Sequence, residues 1–372
     1  MNSPVAVYVH TPFCPSKCGY CDFNSYAMSG EIVDRTVNAI CSEIGRSPWH
    51  GRPAKTVFFG GGTPTFLAED QLARILEAVT GAHPPIEGCE ITSEANPGTV
   101  DAQKFGAMRR AGFNRISLGA QSFHREDLIR LGRVHEASHI ARAVTAARAA
   151  GFDNVNLDLI FALAGQSVAA WNRNLQIALG FKIEHLSLYC LTIEQNTRYF
   201  KLWQRGMLDL PDEERQLAMF DASMDAAKRA GLVQYEISNF AQPGRECQHN
   251  LCYWRAEEYL AYGPGAVGCF ARPNDSRQRY TNMKHPERYC DAIEQASDLW
   301  CESEVVDEQA LRLERIMLGM RTSEGVDVHL CEISTPAIEL VLERGWAELI
   351  GNRLSLTRAG RHLCNQVVAA LV

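Results

Sequence analysis

Three cysteines near the start of the chain form the pattern with the most chemical content. Cys14, Cys18 and Cys21 follow a C-x3-C-x2-C spacing, which places three soft ligands on one loop. A structural zinc ion takes four protein ligands, and no fourth cysteine follows nearby. A 4Fe-4S cube held by three thiolates keeps one iron open to another ligand. The spacing therefore favours an iron–sulfur cluster with one open iron.

Glycines and polar side chains stand at the ends of the apolar segments that follow. A glycine turn, Gly61-Gly62-Thr63, comes directly after one such segment, and its backbone can approach a ligand closely. Four polar residues lie at or near later segment ends: Glu94, Gln121, Arg133 and Asp158. A guanidinium can clamp a carboxylate, and an acid within an apolar strand is either paired or functional. Together these residues predict one ligand-binding rim.

The elements that position this rim alternate along the first half of the chain. Strand patterns cover 5–10, 55–59, 89–94, 115–119, 154–161 and 185–191. Helical patterns cover 31–45, 69–80, 102–111, 137–149, 168–179 and 212–230. Such alternation predicts a parallel sheet with right-handed crossovers. Six units are two short of a closed eightfold barrel, so we predict an α/β fold with a partial (β/α)6 barrel and its sites at strand C-terminal ends.

Beyond this barrel core, residues 1–235, the pattern changes. Residues 236–302 are rich in Gly, Pro and aromatic residues, which predicts a loop-rich extension beside the ligand sites. The pattern of residues 303–372 predicts two helices, a hairpin and a further helix. This order is typical of a small winged-helix-like domain. This tail carries ten Asp or Glu and seven Arg residues, an acidic balance that disfavours nucleic acid as a partner. We expect it to pack or to dock a partner.

Composition limits the remaining choices. The 372 residues carry a formal net charge of -7 and are 46% hydrophobic, enough for a large core. Thirteen cysteines, with no signal peptide before the first strand, predict reduced thiols and a cytoplasmic location. No apolar run reaches the roughly 18 residues expected of a membrane-spanning helix.

The cysteine loop, with Tyr20 as the aromatic residue before the third cysteine, resembles the radical S-adenosylmethionine (SAM) superfamily. Further motifs follow in the order Tyr8-x-His-x-Pro-Phe-Cys, Gly-Gly-Gly-Thr-Pro-Thr, Ala-Asn-Pro-Gly, Gly-Ala-Gln-Ser-Phe, Asp-Leu-Ile-Phe, Leu-Ser-Leu-Tyr and Tyr-Glu-Ile-Ser-Asn-Phe. Over nearly its whole length the chain is similar to the HemW branch of the oxygen-independent coproporphyrinogen III oxidase family.

This resemblance implies a 4Fe-4S cluster on the three loop cysteines, with SAM chelating the open iron through its amino and carboxylate groups. It also implies that SAM is held by Tyr8, Tyr20, Gly61, Gly62, Thr63, Glu94, Gln121, Arg133 and Asp158.

Two positions separate HemW from the oxidase within this family. The oxidase carries a further cysteine two residues after the third cluster ligand, where this chain has Phe23. The segment His249-Asn-Leu-Cys-Tyr-Trp254 resembles the HemW heme-handling motif, in which His249 would ligate heme iron and its aromatic neighbours would pack on the macrocycle. Cys247 is the alternative ligand. The chain departs from the family at Val267, where many members have His, and at Cys252, which is foreign to the motif.

The leading hypothesis is a heme chaperone that binds the cluster, SAM and heme and delivers heme to apo-proteins such as respiratory enzymes. One alternative is oxidative decarboxylation of coproporphyrinogen III, against which Phe23 argues. Another is a radical SAM methyltransferase, for which the sequence names no acceptor. The radical SAM resemblance permits enzymatic activity, and a chaperone is favoured over a coproporphyrinogen III dehydrogenase. The resemblance permits a homodimer and a peripheral membrane contact.

Overall fold

One large sheet and one small sheet organise residues 3–272 and 276–372, the part of the chain that this computed structural model describes. The strands are β1 (Val5–Thr11), β2 (Ala54–Gly61), β3 (Pro85–Ala95), β4 (Arg115–Gln121), β5 (Val155–Phe161), β6 (His185–Cys190), β7 (Val233–Gln234), β8 (Asn239–Ala241), β9 (Tyr259–Tyr262), β10 (Val267–Ala271), β11 (Arg277–Asn282), β12 (Trp300–Val306), β13 (Val326–Asp327), β14 (Ala347–Ile350) and β15 (Arg353–Leu356).

The helices lie between these strands and after them. They are α1 (Glu31–Gly45), α2 (Glu69–Ala82), α3 (Ala102–Ala111), α4 (Arg125–Leu131), α5 (Ala137–Ala149), α6 (Val168–Gly180), α7 (Arg198–Gln204), α8 (Glu213–Arg229), α9 (Gln248–Trp254), α10 (Pro286–Glu294), α11 (Glu308–Gly319), α12 (Thr335–Glu343), α13 (Arg358–His362) and α14 (Cys364–Leu371). None of the helices that the structure describes is long and apolar enough to cross a membrane.

Strands β1 to β6 pair in parallel and in chain order, with helices between them, which confirms the predicted α/β class. Side chains alternate between the two faces of a strand. In β1, Val7 and Val9 therefore join the main hydrophobic core, whereas Tyr8 and His10 point to the opposite face and line a cavity. This alternation places the polar candidates inside the sheet's concavity and the aliphatic residues under the helices.

The sheet continues beyond the six parallel strands at both edges. Strand β9 pairs in parallel with β1, strands β10 to β12 follow antiparallel, and β8 pairs antiparallel with β6. The segment 236–302, predicted to be rich in loops, thus contains most of these added strands and two helices. Strands β8 to β11 have only three to six residues each, so their alternation does not stand out in the sequence. Strand β12 runs past residue 303, and the division into three domains stays a prediction.

The C-terminal residues have a hydrophobic core of their own. It is formed by side chains between Ile316 and Leu371 and is distinct from the main core. Strands β13, β15 and β14 form a small antiparallel sheet beside helices α11, α12 and α14. Because this core is separate, we propose that the tail is a unit that packs on the barrel through contacts such as the Arg358–Asp225 ion pair.

Candidate functional site

The cysteine loop leaves β1 and folds back on itself. The amide of Cys14 donates to the carbonyl of Tyr26 (3.0 Å), and the amide of Tyr26 donates to the carbonyl of Pro12 (2.7 Å). The ammonium group of Lys17 donates to the carbonyls of Phe23 and Ser25 at 3.1 and 3.3 Å. These bonds close the loop around the three cysteines, all of which line the same cavity.

The three thiols line one wall of a cavity of about 370 Å³ at the C-terminal ends of the strands. All three are free and partly exposed, and burial raises the pKa of the Cys14 and Cys21 thiols. Among the described residues, no three His, Cys, Asp or Glu side chains gather around a single-ion position. In a 4Fe-4S cube each thiolate binds a different iron, so the thiols of such a site need not meet at one point.

The glycine turn after β2 rests directly on the cysteine loop. The amide of Gly62 donates to the carbonyl of Thr11 and the amide of Thr63 to the carbonyl of Phe13, both at 2.8 Å. The Thr63 hydroxyl lies 3.4 Å from the sulfur of Cys14. Gly61 has a φ of 107°, in the left-handed region that glycine adopts without strain. The turn therefore presents backbone to the cavity and supports the first cysteine.

Two half-buried carboxyl groups, Glu94 on β3 and Asp158 on β5, line this cavity with strand β4 between them. Burial and the nearby charge of Asp158 raise the pKa of Glu94 to about 8, although the carboxyl accepts a 3.2 Å hydrogen bond from the amide of Gly61. Asp158 accepts hydrogen bonds from Ser117 (2.9 Å) and Asn156 (2.8 Å), and burial raises its pKa as well. A pKa of about 8 leaves Glu94 mostly protonated near neutral pH.

Gln121 and Arg133 complete the rim. Gln121 ends β4 with a φ of 65°, a left-handed conformation that is uncommon outside glycine. Arg133 donates from one Nη to the carbonyl of Gly119 (2.8 Å), and its other Nη lies 3.7 Å from the sulfur of Cys18. Its Nε is buried and has no partner in the described residues. A carboxylate in the cavity would satisfy this N–H group.

The donor set fits a three-thiolate cluster with SAM beside it. Three free thiols, an unpaired guanidinium N–H and a backbone cradle all border the same space. A Cβ on Gly60 would lie 3.0 to 3.2 Å from Phe58, Tyr8 and Glu94, so a side chain there would close the cradle.

The structure brings eleven of the thirteen predicted site residues to this cavity: Cys14, Cys18, Tyr20, Cys21, Gly61, Gly62, Thr63, Glu94, Gln121, Arg133 and Asp158. Tyr8 lines an adjoining cavity, and its hydroxyl bonds Nδ1 of His10 at 3.1 Å. Sequence reasoning missed His10, whose Nε2 bonds the carbonyl of Asn24 (2.9 Å) and ties the cysteine loop to β1. Its position two residues after Tyr8, on the same strand face, is the signal that points to it.

His249 lies apart from the cavity wall, inside the barrel. It is 1% exposed, stacks on Phe58, and both ring nitrogens are engaged: Nδ1 with the Thr56 hydroxyl (2.8 Å) and Nε2 with the Tyr253 hydroxyl (2.9 Å). Burial and the charge of Lys55 lower its pKa to about 3, so the ring is neutral. Iron ligation requires one of these bonds to break, and the assignment of His249 stays a prediction.

The carboxylate of Glu90 holds the first turn of the helix that carries His249. It accepts hydrogen bonds from the amides of Gln248 and His249, each at 3.1 Å, and lies 3.6 Å from the sulfur of Cys247. A carboxylate at a helix N-terminus satisfies amides that lack a partner within the helix. Both residues predicted as heme ligands are therefore anchored by one strand of the barrel.

Comparisons with known proteins agree with this geometry. Residues 8–175 match the radical SAM superfamily, whose members carry a 4Fe-4S cluster and SAM. The chain is 34% identical to "Heme chaperone HemW" of Bacillus subtilis, with 99% of each chain covered. It is 35% identical to the protein of the same name from Escherichia coli, over 98% of this chain and 97% of that one.

A solved structure of coproporphyrinogen III oxidase (HemN) from Escherichia coli, described as a radical SAM enzyme, superposes with a TM-score of 0.84. It is 20% identical and covers 100% of this chain and 90% of that one, which shows a shared fold. The fold, the cysteine loop and the near-full-length identity to curated relatives together show that this chain belongs to the HemW family of radical SAM proteins.

Proposed function

We propose that this protein binds heme and delivers it to apo-proteins such as respiratory enzymes. The observation that carries the proposal is the 34–35% identity, over at least 98% of this chain, to relatives named heme chaperones. Phe23, in place of the oxidase family's additional cysteine, is 60% exposed at the edge of the cavity and offers no thiol there.

The cavity beside the cysteine loop is our proposed site for the cluster and SAM. Cys14, Cys18 and Cys21 hold the iron, and the unpaired Nε of Arg133 takes the SAM carboxylate. When bound, the cluster supplies an electron that can cleave SAM. The half-buried Glu94 carboxyl accepts hydrogen bonds from the polar groups of SAM, and it ionises more readily beside a positive charge.

His249 is our proposed heme ligand. An imidazole must be neutral to bind iron, and the lowered pKa of His249 keeps it neutral throughout the physiological range. The half-buried rings of Tyr253 and Trp254 lie on the same short helix and can pack against a flat macrocycle. Because His249 itself is buried, heme must displace at least one of its hydrogen-bond partners.

Heme titration of the anaerobically reconstituted protein tests this function. We expect a Soret shift that saturates at stoichiometric heme, with coproporphyrinogen III left unchanged. Replacing His249 with Ala should weaken heme binding while the iron content stays the same. His83→Ala is the matched control, because His83 is also buried and bonded to a tyrosine hydroxyl, that of Tyr262 at 2.6 Å, away from the site.

Two outcomes would contradict the proposal. Equal heme affinity in the His249 and His83 variants would remove His249 as the ligand. Conversion of coproporphyrinogen III to protoporphyrinogen, with release of deoxyadenosine, would make the protein an oxidase. The cytoplasmic location, the homodimer and the peripheral membrane contact stay predictions.

A further inference from the structure

A second cavity, of about 360 Å³, continues from the first one towards His249. Its lining includes Tyr8, Gly61, Glu94, Tyr253 and Tyr259. Gly61 and Glu94 border both cavities, so a ligand seated against Glu94 can extend into the second one. Three tyrosines, Tyr8, Tyr253 and Tyr259, belong to this lining.

Tyr253 stands between this cavity and His249. Its side chain is half-buried and lines the cavity, whereas His249 lies behind it and is 1% exposed. The Tyr253 hydroxyl is 2.9 Å from Nε2 of His249. Whatever enters the cavity therefore meets Tyr253 before it can meet the imidazole.

The other ring nitrogen of His249 is held from the barrel side. Its Nδ1 lies 2.8 Å from the hydroxyl of Thr56 on β2. A histidine that binds a metal through one nitrogen donates the N–H of the other to a neighbouring acceptor. In the tautomer that carries its proton on Nδ1, Thr56 accepts that proton and Tyr253 donates its hydroxyl to the lone pair of Nε2. That lone pair is the one iron needs.

We propose that Tyr253 gates the heme ligand: its hydroxyl occupies the Nε2 lone pair of His249 until SAM, bound against Glu94, takes that hydroxyl as a hydrogen-bond donor. This inference rests on the proposed function and adds to it a regulation of heme binding by SAM. Thr56 is a positioning residue whose hydroxyl can accept the Nδ1 proton of His249. Tyr253 lines the cavity that adjoins the nucleotide site and contacts His249, so it can couple the two sites.

Heme titration of the cluster-loaded protein, with and without SAM, tests the gate. In the wild type we expect SAM to tighten heme binding about two- to tenfold, the range that one hydrogen bond supplies. Tyr253→Phe should bind heme without SAM as tightly as the wild type does with SAM. Tyr262→Phe, which removes an equivalent hydroxyl from His83, should behave like the wild type.

A second variant separates the role of Tyr253 from that of Thr56. Thr56→Val should weaken heme binding equally with and without SAM, because Nδ1 loses its acceptor. If the wild type binds heme but Tyr253→Phe and Tyr262→Phe respond to SAM alike, the gate is wrong and the proposed function stands. If no variant binds heme at all, both are wrong. Cluster absorbance and far-UV circular dichroism confirm that each variant is folded and loaded.

Discussion

Replacing Gly62 with Ala tests whether the glycine turn supports the cysteine loop. A Cβ at Gly62 would lie 2.6 Å from the carbonyl oxygen of Phe13 and 2.9 Å from its nitrogen, whereas ordinary contacts begin at 3.4 Å. The loop must therefore retreat by about 0.8 Å, the difference between 3.4 and 2.6 Å. Both partners are backbone atoms, so no side chain can rotate away. Forced shifts of this kind cost about 1–3 kcal/mol.

The retreat also carries Phe13 and Cys14 away from Thr63. We expect Gly62→Ala to lower the free energy of unfolding of the cluster-free protein by about 1–3 kcal/mol in urea. After anaerobic reconstitution it should hold less iron per chain, measured by iron analysis and by the electron paramagnetic resonance of the reduced cluster.

Gly81→Ala is the matched control for this substitution. Gly81 lies in helix α2, and a Cβ there would meet nothing within 4 Å. Because alanine is the better helix former, this variant should gain up to about 1 kcal/mol and keep its iron. If Gly62→Ala matched the wild type in both unfolding free energy and iron content, the glycine turn would not be what holds the cysteine loop in place.

Two further predictions concern the cluster ligands and the buried acid. Cys21→Ala should reduce the iron content and abolish the cluster signal, whereas Cys41→Ala, which removes another half-buried thiol, should leave both unchanged; the reverse would refute the ligand assignment. The folded Glu94 carboxyl keeps its proton up to about pH 8, whereas the unfolded one releases it near 4.5. The contribution of the neutral Glu94 carboxyl to the free energy of unfolding is therefore fully present below pH 4.5. It is lost as the pH rises to about 8. Urea unfolding across this range should show the wild type losing stability relative to Glu94→Gln, and a constant difference would contradict the raised pKa.

Long elements with local start and stop signals were predicted closely. Helix α3 occupies Ala102–Ala111 as expected, because the Asp101 side chain accepts a hydrogen bond from the amide of Lys104 and Gly112 ends the helix in the left-handed conformation. The short helices α4 and α7 were missed, since seven residues show too few turns for a helical period to be evident. Strands β9 to β12 were missed because they are defined by their pairing with one another and with β1, which the local sequence does not show.

The sequence by itself determined the family, the cysteine loop and eleven of the residues that line the first cavity. It could do so because strand C-terminal ends in a parallel sheet converge, which turns separate local patterns into one site. Only the tertiary structure decided how His249 is held. Its partners Thr56 and Glu90 lie 193 and 159 residues away in the chain, on strands of the barrel. Hydrogen bonds across such distances depend on how strands and helices pack, and packing is what buries His249 behind Tyr253.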